Sequence, residues 1–189
     1  MPSLVEGTGF FLYPLLGCAI VAFFVVVERL LVLSSGRVCP APLLKSLAGG
    51  KVPAEPGGSM LGRMISISRE HEGDDEAIGA LARLEANRLQ RGLVVLEIVI
   101  AIAPLLGLLG TVTGLITVFG NISPDTGMPD PGMFVEGVAL ALMTTGVGLA
   151  IAIPGLVFHG YFQRKAETFT VELESALALV RAANSTEKN

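Results

Sequence analysis

Side chains able to handle a proton or an ion lie inside otherwise apolar stretches, among them Glu97, Thr111, Glu136, Thr144, Thr145 and His159. Hydroxyls can hydrogen-bond an ion's water or a titrating group, whereas carboxylates and imidazole can carry the proton themselves. Ionisable groups at membrane depth are costly and point to function. Here Glu97, Glu136 and His159 stand near the ends of their stretches, with none at the middle. If protons or ions cross, this chain supplies hydroxyls and rim carboxylates, and a central titrating group has to come from a partner. No nucleophile with its base, phosphate loop or zinc-protease helix accompanies these residues, so the chain is not read as an enzyme and no cofactor is expected. The acidic run from Glu70 to Glu76, with His71 inside it, lacks metal-ligand spacing and reads as a solvated helix start, so no metal is expected either.

The elements that must position these groups follow from composition. Of 189 residues, 51% are hydrophobic and 16% charged, which indicates a membrane protein. Charges avoid three windows, Phe10 to Leu33, Leu93 to Phe119 and Phe134 to Phe162, each at or beyond the ~20 residues a helix needs to cross hydrocarbon. The expected fold is therefore an all-α membrane protein with three transmembrane helices and long cytoplasmic helical extensions. Its segments are an external N-terminus (1–9), a first crossing (10–33), a cytoplasmic loop and helix (34–92), a second crossing (93–120), an external loop (121–133), a third crossing (134–162) and a cytoplasmic C-terminal helix (163–189).

Orientation comes from the basic residues. Arg37, Lys45, Lys51, Arg63, Arg69, Arg83, Arg88 and Arg91 lie between the first two windows, and Arg164, Lys165, Arg181 and Lys188 follow the third. The first ten residues and the loop of the 120s carry none, so by the positive-inside rule they face outward. MPSLVEG lacks the basic start of a secretory signal, so the first helix is read as uncleaved. Cys18 and Cys39 are expected to stay unpaired. Glu28 and Arg29 end the first helix, where they can reach headgroups or pair with each other. Prolines 40, 42, 53 and 56 break the next stretch into short helical pieces. A helix with Ile78, Leu81, Leu84 (or Arg88 on the flank of the next turn) and Leu89 on its apolar face then runs towards Leu93 with nothing to interrupt it. After the third window, Phe169, Leu173, Ala176, Leu177 and Val180 mark the apolar side of an amphipathic helix.

Within the second window, Pro104, Gly107, Thr111, Gly114, Val118 and Asn121 share one face, and Ala103, Leu106, Gly110, Thr113, Thr117 and Gly120 the next. The third window repeats the device with Ala141, Thr145, Gly148, Ala152, Gly155 and His159. Small residues let membrane helices approach closely, since lipid provides no hydrophobic drive for association. Gly107, Gly110, Gly114, Gly148, Pro104 and Pro154 are thus the expected packing residues, and each proline removes a backbone donor. A structural scaffold whose small faces serve packing alone is the alternative to an ion path lined by Thr111, Thr144 and Thr145. One hairpin and one further helix are too few to enclose a pore, so a homo-oligomer is implied.

APLLGLLGTVTGLITVF and LMTTGVGLAIAIPGLVFHGYF resemble the second and last membrane helices of the MotA/TolQ/ExbB proton channel family, and Glu28-Arg29-Leu30 is similar to its first-helix ending. Three crossings match the ExbB and TolQ branch. The resemblance implies a subunit of a bacterial inner-membrane complex, a pentameric ring around an ExbD/TolR-like single-helix partner carrying a membrane aspartate, with the lipid bilayer around it and no nucleic acid. It implies that Thr111 and Thr145 line the surroundings of that aspartate, and that proton flow drives outer-membrane transport or envelope maintenance. The resemblance implies a glutamate in the third helix where this chain has Leu140; Glu136, one turn outward, can occupy nearby space and either does or does not take its place.

Overall fold

The structure is a computed structural model that describes residues 9–49, 57–70, 75–120 and 131–187. A 3-10 turn at Gly9–Phe11 leads into seven helices: α1 (Leu12–Val32), α2 (Ser35–Val38), α3 (Ala41–Ala48), α4 (Met60–Glu70), α5 (Asp75–Gln90), α6 (Leu93–Gly120) and α7 (Pro131–Glu187). Strands are absent among the described residues. Three stretches are long and apolar enough to cross a membrane: Leu12–Val32, Asn87–Gly120 and Pro131–Val180. The first ten residues' outer part, the 120s loop and His71 lie outside the described residues.

Local chemistry explains the boundaries. Pro42 stands in the first turn of α3, where its missing N–H is not needed. Ser59 caps α4, its Oγ accepting the Gly62 amide at 3.0 Å. Pro131 opens α7, which runs 57 residues without interruption through Pro154, so the third crossing and the C-terminal helix are one element. α6 likewise continues through Pro104.

The chain forms two compact units, one of residues 1–26 and 95–159 and one of residues 27–94 and 160–189. We call them the hairpin unit and the extension unit. The extension unit is packed like a water-soluble domain: Leu33, Leu61, Ile65, Phe162, Leu173 and Val180 are fully buried. Phe169, Ala176 and Leu177 are buried with them, as the 3.6-residue spacing predicts. Two expectations change here. Leu84 does not join an apolar face but is 57% exposed, while Leu89 is buried. α5 and α6 are not continuous either, because Arg91 and Gly92 form a turn between them. α4 is a helix that the Pro/Gly-rich surroundings did not announce.

Arg29 of α1 packs against that turn. Arg29, 6% exposed, donates from Nη1 to the Leu89 carbonyl at 3.1 Å and from Nη2 to Glu28 Oε1 at 3.3 Å. The Leu89 carbonyl is the one a continuous helix would offer to the Leu93 amide. Gly92 leaves the space the guanidinium fills, since a Cβ there would collide with it. Arg29 and Glu28 do pair, but Arg29 is a buried clamp and not a headgroup anchor. Removing a partner of a buried charge is far costlier than making the pair is stabilising.

Candidate functional site

In the hairpin unit α6 and α7 run antiparallel and meet through glycine. A Cβ on Gly148 would stand 2.5 Å from the Ala103 carbonyl oxygen, and one on Gly107 2.8 Å from that of Thr144. Gly110 faces the Thr144 side chain, Gly114 faces Ala141 with 3.0 Å available, and Gly155 faces Ile100. Gly137 accommodates Val118 in the same way. The seam therefore consists of Ala103, Gly107, Gly110, Gly114 and Val118 against Gly137, Ala141, Thr144, Gly148 and Gly155. Backbones this close can gain dispersion contacts along their whole length, which large side chains would prevent.

Thr144 is the polar member of the seam. It is 2% exposed, and its hydroxyl donates to Ala141 O at 2.7 Å, with Gly107 O across the interface at 3.2 Å as a second acceptor. Thr144, expected along the path with Thr111 and Thr145, is placed inside the helix pair, its one hydroxyl proton shared between two carbonyls. Thr145, expected in the seam stripe, sits just beside it. Its Oγ1 is buried and has no hydrogen-bond partner. Thr111 is half-buried, and its hydroxyl donates back to Leu108 O at 2.6 Å. Thr113 and Thr117 are exposed and donate to their own helix, to Leu109 O and Thr113 O.

Which of these share a side follows from about 100° of rotation per residue. On α6, Glu97, Pro104 and Thr111 recur every seven residues along one shoulder of the seam, and Thr113 and Thr117 take the other. On α7, Thr145 lies on one shoulder, while Leu140 and Glu136 lie on the opposite one. In an antiparallel pair, shoulders reached by rotating forward from the seam fall on the same side. Thr111 and Thr145 therefore share a side with Glu97, whereas Glu136, which is exposed, shares the other with Thr113 and Thr117. Glu136 does stand one turn from Leu140, but the structure does not bring it together with Thr111 and Thr145.

The described part of the hairpin unit also carries no lysine or arginine charge; its titratable groups are Tyr13, Cys18, Glu97, Glu136 and His159. Every ion pair found among the described residues is in the extension unit: Arg29 with Glu28, and Glu85 with both Arg63 and Arg88. The structure thus combines an apolar hairpin, a glycine seam and hydroxyls beside it.

Residues 58–175 match the MotA/TolQ/ExbB proton channel family. The chain belongs to that family. It is 34% identical over 106 residues to the biopolymer transport protein exbB1 of Vibrio cholerae, covering 56% of this chain and 46% of that protein. Over 83 residues it is 45% identical to a putative ExbB-like biopolymer transport protein of Synechocystis, covering 43% of this chain and 33% of the relative. Over 82 residues it is 37% identical to the biopolymer transport protein ExbB of Helicobacter pylori, 43% of this chain and 56% of that one. The matched stretch thus spans about a third to somewhat over half of these relatives' lengths. With its three apolar helices, this family member is a multi-pass membrane protein.

Two features were missed by reading residues alone. The Arg29 clamp on Leu89 and Gly92 carries no local signal beyond an arginine at a helix end and a glycine before an apolar run. The exchange of Thr144 for Thr145 in the seam is a matter of one residue, or about 100°, which two adjacent stripes cannot decide.

Outside the membrane segments, Cys39 is buried in the extension unit. Burial, and then the neighbouring Glu172 carboxylate, push its thiol up to about 12. It is a free thiol, as is Cys18, and at neutral pH it is an inert small hydrophobe.

Proposed function

We propose that the chain is the ring-forming channel subunit of an energy-transducing complex of the bacterial inner membrane, with its N-terminus outside and its C-terminus in the cytoplasm. The ring, pentameric by family likeness, surrounds an ExbD/TolR-like partner whose single membrane helix brings an aspartate. Proton flow past that aspartate drives biopolymer transport or envelope maintenance at the outer membrane.

The observation that carries this reading is the pair of hydroxyls on one side of the hairpin. Thr145 has a buried hydroxyl with no partner, a cost of about 1–3 kcal/mol that a packing role leaves unexplained. Thr111 has spent its proton on Leu108 O and offers an acceptor oxygen. Facing a carboxyl group, Thr145 can donate to the ionised form and Thr111 can accept from the protonated form. Together they suit a group that changes protonation as it moves past. Thr144, Gly107, Gly110, Gly114 and Gly148 keep the wall behind them closed.

The test is proton flux through the complex, purified by way of this chain with its membrane partner and reconstituted into liposomes holding a pH-sensitive dye. Thr111→Val with Thr145→Val is expected to abolish potential-driven flux while the complex still co-purifies. Full flux in that variant would leave the packing scaffold as the better reading.

A further inference from the structure

We infer that Glu97 is the proton acceptor at the cytoplasmic mouth of this path, with His159 as the titratable group nearest to it in height along the hairpin; this rests on the pathway reading above. Glu97 is the one Asp, Glu, Lys or Arg in the 28 residues of α6. It is exposed, although its helix is apolar before and after it. It stands two heptads before Thr111, with Pro104 midway, so all three lie along one side of the helix. Pro104 brings no N–H to the Ile100 carbonyl, which leaves a polar atom between the carboxylate and the hydroxyl.

The antiparallel register fixes what faces it. Gly155 lies against Ile100 and Leu96, so His159, one turn further along α7, comes to the level of the first turns of α6. His159 is half-buried. The remaining titratable groups of the described hairpin unit lie elsewhere: Tyr13 and Cys18 in the first half of α1, and Glu136 at the opposite end of α7 on the other shoulder. No lysine or arginine of the unit holds Glu97 in an ion pair, unlike Glu28 and Glu85 in the extension unit. Outside these ion pairs, both carboxylate oxygens are available to accept a proton. An O–H bond forms on Glu97 as one breaks in the hydronium that leaves the path, and the proton then passes to bulk water.

The same reconstituted complex tests this, in weakly buffered solution on the mouth side. Glu97→Gln is expected to lower flux by about a hundredfold, the scale of a lost proton-transfer group. The membrane-impermeant buffer MES, added at high concentration on that side, should restore the flux, because a mobile acid replaces the missing one. Wild type should be indifferent to MES. The double threonine variant should stay silent with or without it, which separates failure of the path from failure of its mouth. Full flux in Glu97→Gln at low buffer would overturn the proposal, and so would a loss that MES leaves unrepaired, since that marks a structural role. Should Glu97→Gln fail to co-purify with the partner, Glu97→Asp gives the reading: buffer-dependent flux supports the proposal, and full buffer-independent flux with the mouth-side pH profile of wild type overturns it.

Discussion

α6 and α7 are each a single helix, yet they pass through two units packed by opposite chemistry. In the extension unit α7 buries bulk, with Phe162, Leu173 and Val180 fully enclosed, and Glu85 of that unit is paired with Arg63 and Arg88. In the hairpin unit, of the largest fully buried side chains, only Leu15 and Leu96 belong to it. Leu105, Ile116, Leu142, Ile153 and Val157 are more than 60% exposed there, as lipid-facing residues would be. Water rewards enclosing large apolar groups, at roughly 25 cal/mol per Å². Lipid does not, so close contact between backbones becomes the main source of association, and glycine is the residue that permits it. The comparison explains why one helix is rich in leucine and phenylalanine at one end of its buried face and in glycine and alanine at the other.

The contrast can be broken most strongly at Phe162. Phe162→Ala should destabilise the extension unit by about 3–5 kcal/mol, whereas Phe24→Ala, at a position 69% exposed in α1, should change thermal unfolding in detergent very little. In the hairpin, size works in reverse. Gly148→Leu has to displace the Ala103 carbonyl and is expected to cost about 1–3 kcal/mol or more, lowering recovery of assembled complex. Gly146, with nothing within 4 Å, should tolerate leucine; equal loss at both glycines would refute the seam.

A finer test separates neighbours. Thr144→Val removes the shared hydrogen bond in the seam and should cost about 0.6 kcal/mol, the average for such bonds between membrane helices. Thr145→Val removes a hydroxyl that has no partner, so stability should hold or rise while proton flux falls. If both lost stability alike, Thr145 would belong to the seam after all.

A further effect is confined to alkaline solution and vanishes at neutral pH. Cys39 has its thiol raised from 9.0 to about 12, so above pH 9 the unfolded chain gives up a proton that the folded one keeps. Its stabilising contribution is whole below pH 9 and is lost as pH rises towards 12. Cys39→Ala should flatten that part of the stability profile, and the native thiol should resist maleimide at pH 7 until the extension unit opens.

Much of the site could be read from residue order. The glycine positions of both helices and the choice of Thr111 follow from i, i+3 and i+4 spacing, and the structure keeps Gly107, Gly110, Gly114 and Gly148 in one seam. Glu136 was harder, because its relation to Leu140 is local while its distance from Thr111 and Thr145 depends on which shoulder of α7 faces which shoulder of α6.

The sequence by itself determined three apolar helices, their small-residue stripes and the amphipathic face of the C-terminal helix, because each arises from periodicity within one element. Only the tertiary structure decided that Thr144, and not Thr145, enters the seam, since that is set by the rotation at which a second helix docks. It also decided the break at Arg91 and Gly92. No residue there forbids a helix; a guanidinium from α1 packs against Gly92 and donates to the Leu89 carbonyl at that break.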